Sequence, residues 1–261
     1  MAPGTLGIVG VGRLASFMIE GIRKSGDRRP ILLSPRNAEM AKRLAADHDC
    51  EVAADNQAVI DGADVVIVAT PPKDALATIR SLPWRRGQLL VCVAIDVEHA
   101  ALQDAAGDAT VVRAMPTAAS AIGLGSTPIF PDDERARALL VLVGDVFPCV
   151  DEDQFKVATA ASVYHLWMYA LMERMAQAVE EAGLPRATAV GLVAGFTQSA
   201  GAFAKAADPA QSMRWPLDVN GTPGTMTAQG FAVIEAADAL EPWAEALAVA
   251  VERARGGSTK D

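Results

Sequence analysis

The stretch from Leu6 to Ala15 constrains the fold of this chain more than any other. An apolar run, Leu6-Gly7-Ile8-Val9, meets a G-x-G-x-x-A turn at Gly10, Gly12 and Ala15, and a helix-like segment from Ser16 to Lys24 follows directly. The pattern reads strand, tight turn, helix. Each small residue has a physical job if a dinucleotide sits there. Gly10 permits the turn, Gly12 lets the backbone approach a pyrophosphate, and Ala15 lets the helix pack close to the strand. The phosphates would meet free N–H groups at the helix N-terminus. A ligand-free turn can carry the same letters, so the reading leans on what the remaining chain provides.

It provides a repeating unit. Ile31-Leu32-Leu33, Asp64 to Ala69, Leu89 to Ile95 and Thr110 to Met115 are short apolar runs, and Ala38 to Ala46 has helical spacing. Continuous β-branched runs separated by helices predict a parallel sheet covered on both faces, a Rossmann-type doubly wound α/β domain over residues 1–150. After the second run, an NAD site usually carries Asp or Glu for the ribose 2′-hydroxyl, whereas a 2′-phosphate needs hydroxyl and guanidinium donors. The chain reads Ser34-Pro35-Arg36-Asn37 there, with no acid. Arg36 can fork onto a phosphate, so the expected cofactor is NADPH (NADP+) rather than NADH.

Beyond residue 150 the strand-like runs cease. Ala158 to Ala182, Ala187 to Ala207 and Thr227 to Arg255 carry apolar residues at helical spacing. Gly183 suits a helix C′ position and Pro185 the first turn of the next helix. Residues 151–261 are expected to form an all-α domain whose apolar helices need a second subunit to cover them, in a homodimer or an assembly of dimers. A net charge of −9, with no basic stripe, argues against nucleic acid as a partner. Cys50, Cys92 and Cys149 suit small apolar residues in a reducing cytoplasm, and no spacing suggests a metal site. With no signal peptide and no uninterrupted apolar run of roughly 18 residues, neither export nor a membrane is expected. His48 and His99 are expected at the surface, and the tail from Arg253 to Asp261 is expected to be disordered.

The ordered set Gly7-Ile-Val-Gly-Val-Gly-Arg-Leu-Ala15, Asp64-Val-Val-Ile-Val-Ala-Thr-Pro71, Val112-Arg-Ala-Met-Pro116, Gly183-Leu-Pro-Arg186 and Thr222-Pro-Gly-Thr-Met-Thr227 resembles the pyrroline-5-carboxylate reductases. The resemblance runs from about residue 5 to 255, and Arg-Ala-Met-Pro and Thr-Pro-Gly are its more specific parts. It implies an NAD(P)H-binding domain, a helical dimerisation domain, sites completed between subunits, and reduction of a cyclic imine carboxylate to proline. Residue by residue, it assigns Gly10, Gly12, Arg13 and Leu14 to the pyrophosphate turn and Ser34 and Arg36 to the 2′-phosphate. Asn56 falls near the adenosine ribose. Ala69, Thr70, Pro71 and Ala94 would line the dinucleotide, and Met115, Pro116 and Thr117 would face the nicotinamide. Thr227 matches the threonine whose hydroxyl lies close to the imine nitrogen.

The chain departs from the family where the substrate carboxylate is expected. Where most members have a Ser-Gly-Ser-Gly-Pro-Ala loop, this chain has Ala161-Ser-Val-Tyr-His-Leu166, and Met-Pro-Asn has become Met115-Pro116-Thr117. Gly-Gly-Thr has become Thr225-Met226-Thr227. Bulky residues in that loop predict weak reduction of pyrroline-5-carboxylate and better activity on another imine or a keto substrate. Tyr164 or His165 would then donate the proton. For each of these two, an aromatic or histidine in a core or interface is an equal alternative. A protein that binds the cofactor without reducing anything also stays open. A whole-chain resemblance outweighs one loop, so imine reduction by NADPH, with pyrroline-5-carboxylate as substrate, is the first reading.

Overall fold

A computed structural model of the chain describes residues 4–256. They divide into two compact units, one up to Thr159 and one from Ala160 onward.

The first unit opens with β1 (Leu6–Val9), α1 (Arg13–Lys24), β2 (Ile31–Leu33), α2 (Ala38–His48), β3 (Glu51–Val52), α3 (Asn56–Gly62) and β4 (Val65–Val68). It continues with α4 (Pro72–Arg80), β5 (Leu89–Cys92), α5 (His99–Ala106), β6 (Thr110–Ala114), β7 (Gly125–Phe130), α6 (Glu134–Leu140) and β8 (Gly144–Pro148). One eight-stranded sheet runs β3-β2-β1-β4-β5-β6-β7-β8. The strand order reverses between β1 and β4, and a ligand crevice opens at such a switch point, beyond the carboxyl ends of the strands.

Side-chain alternation gives the sheet two buried faces. Leu6, Ile8, Ile67, Leu89 and Val91 join Met18, Ile19 and Ile22 of α1 in one core. Val9, Val66, Val68, Leu90 and Cys92 join Ile60, Ile79 and Leu102 of α3, α4 and α5 in the other. In α1 the buried positions 15, 18, 19 and 22 follow the helical repeat. Each fully buried Met or Ile there contributes about 1.5–3 kcal/mol of transfer energy.

The sheet is wider than the sequence reading, and it is not wholly parallel. β7 pairs antiparallel with β6, and β8 then pairs parallel with β7. Neither strand is legible in the sequence, because GSTPIF and GDVFP carry glycine and proline, which weaken a strand pattern.

The first unit also extends past the expected limit at residue 150. Helix α7 (Glu152–Ala161) starts with Glu152 accepting the His99 N–H and the Arg113 guanidinium, which fastens its first turn to the sheet. His99 is half-buried rather than fully at the surface. Its ring stands edge-on to Phe130, 5.4 Å between centroids, and its Nε2 donates to the Val111 carbonyl at 3.1 Å.

The second unit holds α8 (Tyr164–Glu181), α9 (Arg186–Ala206), α10 (Trp215–Asn220), α11 (Met226–Ala236) and α12 (Glu241–Ala254). Gly183, at φ +109°, ends α8, and Pro185 caps α9 one residue earlier than expected. The segment Thr227 to Arg255 is two helices, with Asp238 in the left-handed region between them. Arg253 and Ala254 belong to α12, against the disorder expected from Arg253 onward; residues 257–261 lie outside the described ones. The unit has almost no core of its own. Among its described residues only Ala160, Ala176 of α8 and Ala189 of α9 are buried, and α10, α11 and α12 hold no buried residue. α9 is also long and apolar enough to cross a membrane, by length and composition alone, a test that the core helix of a water-soluble protein passes too.

Candidate active site

At the end of β1 the chain turns at Gly10 with φ +94°. A Cβ there would stand 2.6 Å from the Ala69 carbonyl carbon and the Thr70 nitrogen, so only glycine fits. Gly12 is small for a different reason. Its backbone is extended, at φ −114°, and a Cβ would meet nothing within 4 Å. The missing side chain opens space instead of relieving strain. Gly12 is also the N-cap of α1 and offers no capping side chain, so the first-turn N–H groups are left for another acceptor.

The space is an open cleft of about 740 Å³ at the switch point. Gly10, Gly12, Leu14, Arg36, Ala69, Thr70, Pro71 and Ala94, eight of the residues expected to bind cofactor, line it together. Arg13 is exposed at the first position of α1. Ser34 sits beneath the turn, 1% exposed, where its Oγ accepts the Gly10 N–H at 3.0 Å. It braces the glycine turn, while exposed Arg36 two residues on supplies the charge. Asn56 opens α3 outside the lining. Met115 and Pro116 follow β6, also outside it, with the Met115 N–H donating to the Pro128 carbonyl at 3.1 Å. Thr117 starts a short 3₁₀ turn at Ala118.

Two further residues with polar side chains belong to the cleft. Asn37 donates from Nδ2 to the Val11 carbonyl at 3.0 Å, and its Oδ1 accepts the Met40 N–H, so it ties the turn to the start of α2. An Asn directly before a helical segment is an N-cap signal, and its reach back to Val11 is what the sequence hides. Asp74 stands across the cleft in the first turn of α4, where a carboxylate is favoured by the helix N-terminus.

The residues present suit a dinucleotide. Thr70 is 8% exposed at the cleft wall, and its Oγ1 has no hydrogen-bond partner among the described residues. A buried hydroxyl without a partner costs about 1–3 kcal/mol, and a ligand with polar atoms in the cleft would relieve it. Gly12 leaves the phosphate cradle bare, and no acid stands at residues 34–37 to repel a 2′-phosphate. Among the described residues, no group of His, Cys, Asp or Glu could hold a metal ion. Burial pushes all three cysteine thiols up, so none is a ready thiolate.

Tyr164, His165 and Thr227 belong to the second unit. Tyr164 opens α8, half-exposed, edge-on to Trp243 at 6.5 Å between centroids. His165 Nδ1 lies 2.6 Å from the Ser162 carbonyl. A carbonyl only accepts, so Nδ1 carries a proton, and a neutral ring leaves Nε2 as an acceptor. The Val163 N–H donates to the Ala160 carbonyl, and Leu166 and Trp167 turn back to Val163. Thr227 is exposed in the first turn of α11, behind the N-cap Thr225.

A family model described as NADP oxidoreductase coenzyme F420-dependent matches residues 5–112. One described as pyrroline-5-carboxylate reductase dimerisation matches residues 152–256. Pyrroline-5-carboxylate reductase 2 of Bacillus subtilis is 30% identical over 201 residues, 72% of either chain. The chain belongs to the pyrroline-5-carboxylate reductase family. The Thermus thermophilus pyrroline-5-carboxylate reductase is 29% identical over 261 residues, 95% of this chain and 96% of its own. The fold of the family recurs in the Plasmodium falciparum pyrroline carboxylate reductase, solved with NADP bound. That structure has a TM-score of 0.82 and 19% identity over 99% of this chain and 100% of that one.

Proposed function

We propose that this chain is an NADPH-dependent reductase of a C=N bond, converting 1-pyrroline-5-carboxylate to proline. The observation that carries the reading is the cleft at the switch point, with a positive-φ Gly10 braced by Ser34, an open Gly12 and the unpartnered Thr70 hydroxyl. The family relation carries the substrate. When bound, NADPH supplies the hydride that adds to the imine carbon.

The chain's own residues bind and orient. Gly10 and Gly12 shape the turn so that Arg13 and Leu14, at the start of α1, present their N–H groups to the pyrophosphate, and Arg36 meets the 2′-phosphate, with Ser34 holding the Gly10 N–H. Asn56 stands near the ribose, Ala69, Thr70, Pro71 and Ala94 line the dinucleotide, and Met115, Pro116 and Thr117 hold the nicotinamide end. A protonated cyclic iminium already carries the nitrogen's proton, so Thr227 need only orient it. We place the protein in the cytoplasm, as a homodimer or assembly of dimers joined through the second unit, with neither nucleic acid nor membrane as a partner.

A second reading has its own observation. The Val163 N–H is engaged inside the chain, and Tyr164 and His165 stand at the start of α8. A substrate without a carboxylate, such as another imine or a ketone, suits such a loop better. In that case Tyr164, or His165 as the imidazolium, would donate the proton. NADPH oxidation followed over pyrroline-5-carboxylate, other cyclic imines and keto acids separates the readings. The first expects proline formation that survives Tyr164→Phe and His165→Ala; the second expects a different best substrate and a loss of about tenfold or more in one of those variants. NADPH binding without oxidation of any of them overturns both.

A further inference from the structure

β6 breaks a rule that its neighbours keep. On the sheet face covered by α3, α4 and α5 stand Val66 and Val68 of β4, Leu90 and Cys92 of β5, and Val111 of β6. Alternation puts the next residue of β6 on that face too, and it is Arg113, 4% exposed. Its Nη1 donates to Glu152 in the first turn of α7, and its guanidinium lies over the Phe155 ring, 4.6 Å from the centroid. Glu152 also accepts the His99 N–H at 2.7 Å, and Lys156 pairs with Glu98 beside it at 2.7 Å.

A buried ion pair is a poor device for stability alone, since apolar residues of like volume often do as well or better. What it adds is direction, because the buried guanidinium pairs with one carboxylate, Glu152. Two residues past Arg113 the chain makes the turn Met115-Pro116, whose backbone is otherwise tied down by the Met115 N–H to Pro128. Local rules broken without a gain in packing point to function.

We infer that Arg113 is a positioning residue: through Glu152 it ties the strand that ends in Met115-Pro116 to α7, and so holds that turn still against the nicotinamide half of the cofactor. The inference rests on the assignment of Met115 and Pro116 proposed above. It predicts that Arg113 acts on the chemical step and not on cofactor affinity, because the pyrophosphate and 2′-phosphate are held at β1 and β2.

The test uses the full-length protein with Arg113→Met, Arg113→Lys and Glu152→Gln. Two readouts are compared: kcat with its isotope effect from NADPH deuterated at nicotinamide C4, and amide hydrogen exchange at Met115 in the cofactor-free protein. In Arg113→Met, kcat should fall by about tenfold or more with a raised isotope effect, while the Kd for NADPH stays within about twofold. Exchange at Met115 should rise while that of β1 and β4 stays unchanged. Arg113→Lys and Glu152→Gln should fall between it and the wild type. If folded variants keep the wild-type isotope effect and Met115 protection, or if kcat only tracks the folded fraction, Arg113 is structural and the inference fails. Should the wild type reduce no imine, the proposed function fails, and exchange at Met115 still decides the case of Arg113.

Discussion

Gly10 and Gly12 look alike in the sequence and do opposite things. Gly10 is required by the fold, since its φ of +94° and a Cβ at 2.6 Å from Ala69 and Thr70 leave no room for a side chain. Gly12 meets no such limit, since its Cβ would find nothing within 4 Å at the cleft it lines. Gly10→Ala should therefore cost about 3 kcal/mol or more of stability. Gly12→Val should unfold within about 1 kcal/mol of the wild type and yet lose NADPH affinity by about tenfold or more. Denaturant melts beside cofactor titrations check both, and a Gly12→Val protein that binds NADPH normally would remove the pyrophosphate from this turn. Arg36 is exposed and free to move, so its replacement touches little structure. Arg36→Ala should weaken NADPH by about 1.5–3 kcal/mol and leave NADH unchanged, the scale of a charge-assisted contact. Equal affinity of the wild type for the two cofactors would contradict the 2′-phosphate assignment.

Elements are held by contacts that the sequence does not advertise. The start of α7 depends on Glu152, which faces Arg113, the His99 N–H and Glu98, the last paired with Lys156. Burial raises its carboxyl, but the His99 N–H and the Arg113 guanidinium outweigh burial and hold it below the ordinary value of 4.5. A carboxylate depressed in the folded state adds stability that is fully present above that ordinary value and is lost as pH falls through the folded one. Stability should therefore drop on acidification below about pH 4.5, and Glu152→Gln should flatten the drop; identical acid slopes in denaturant melts would contradict this. The glycine turn, the early strands and the change to helices near residue 150 were legible because each is a local pattern. The Arg113–Glu152 pair was not, because its members are 39 residues apart and only the closed sheet brings them together. β7 and β8 were hidden by their own glycines and prolines, and the brace from Asn37 to Val11 by a separation of 26 residues.

At the scale of the whole molecule, the second unit leaves the most apolar surface exposed. Tyr169, Phe196, Phe203 and Val233 are each more than half exposed, and five helices bury almost nothing among themselves. An obligate interface of about 2,000–5,000 Å² would cover such surface. Light scattering at micromolar concentration should give a dimer or a multiple of one, and a stable monomer would contradict the account. The fold, the cleft and the family relation converge on one reaction, so its direct measurement carries most weight. Purified protein is mixed with pyrroline-5-carboxylate and either NADPH or NADH, and proline is quantified against cofactor oxidised. The account predicts one proline per NADPH, at a kcat/KM of about 10⁴ M⁻¹s⁻¹ or above, and at least about tenfold less with NADH. Absence of proline with NADPH, or equal rates with the two cofactors, would contradict it.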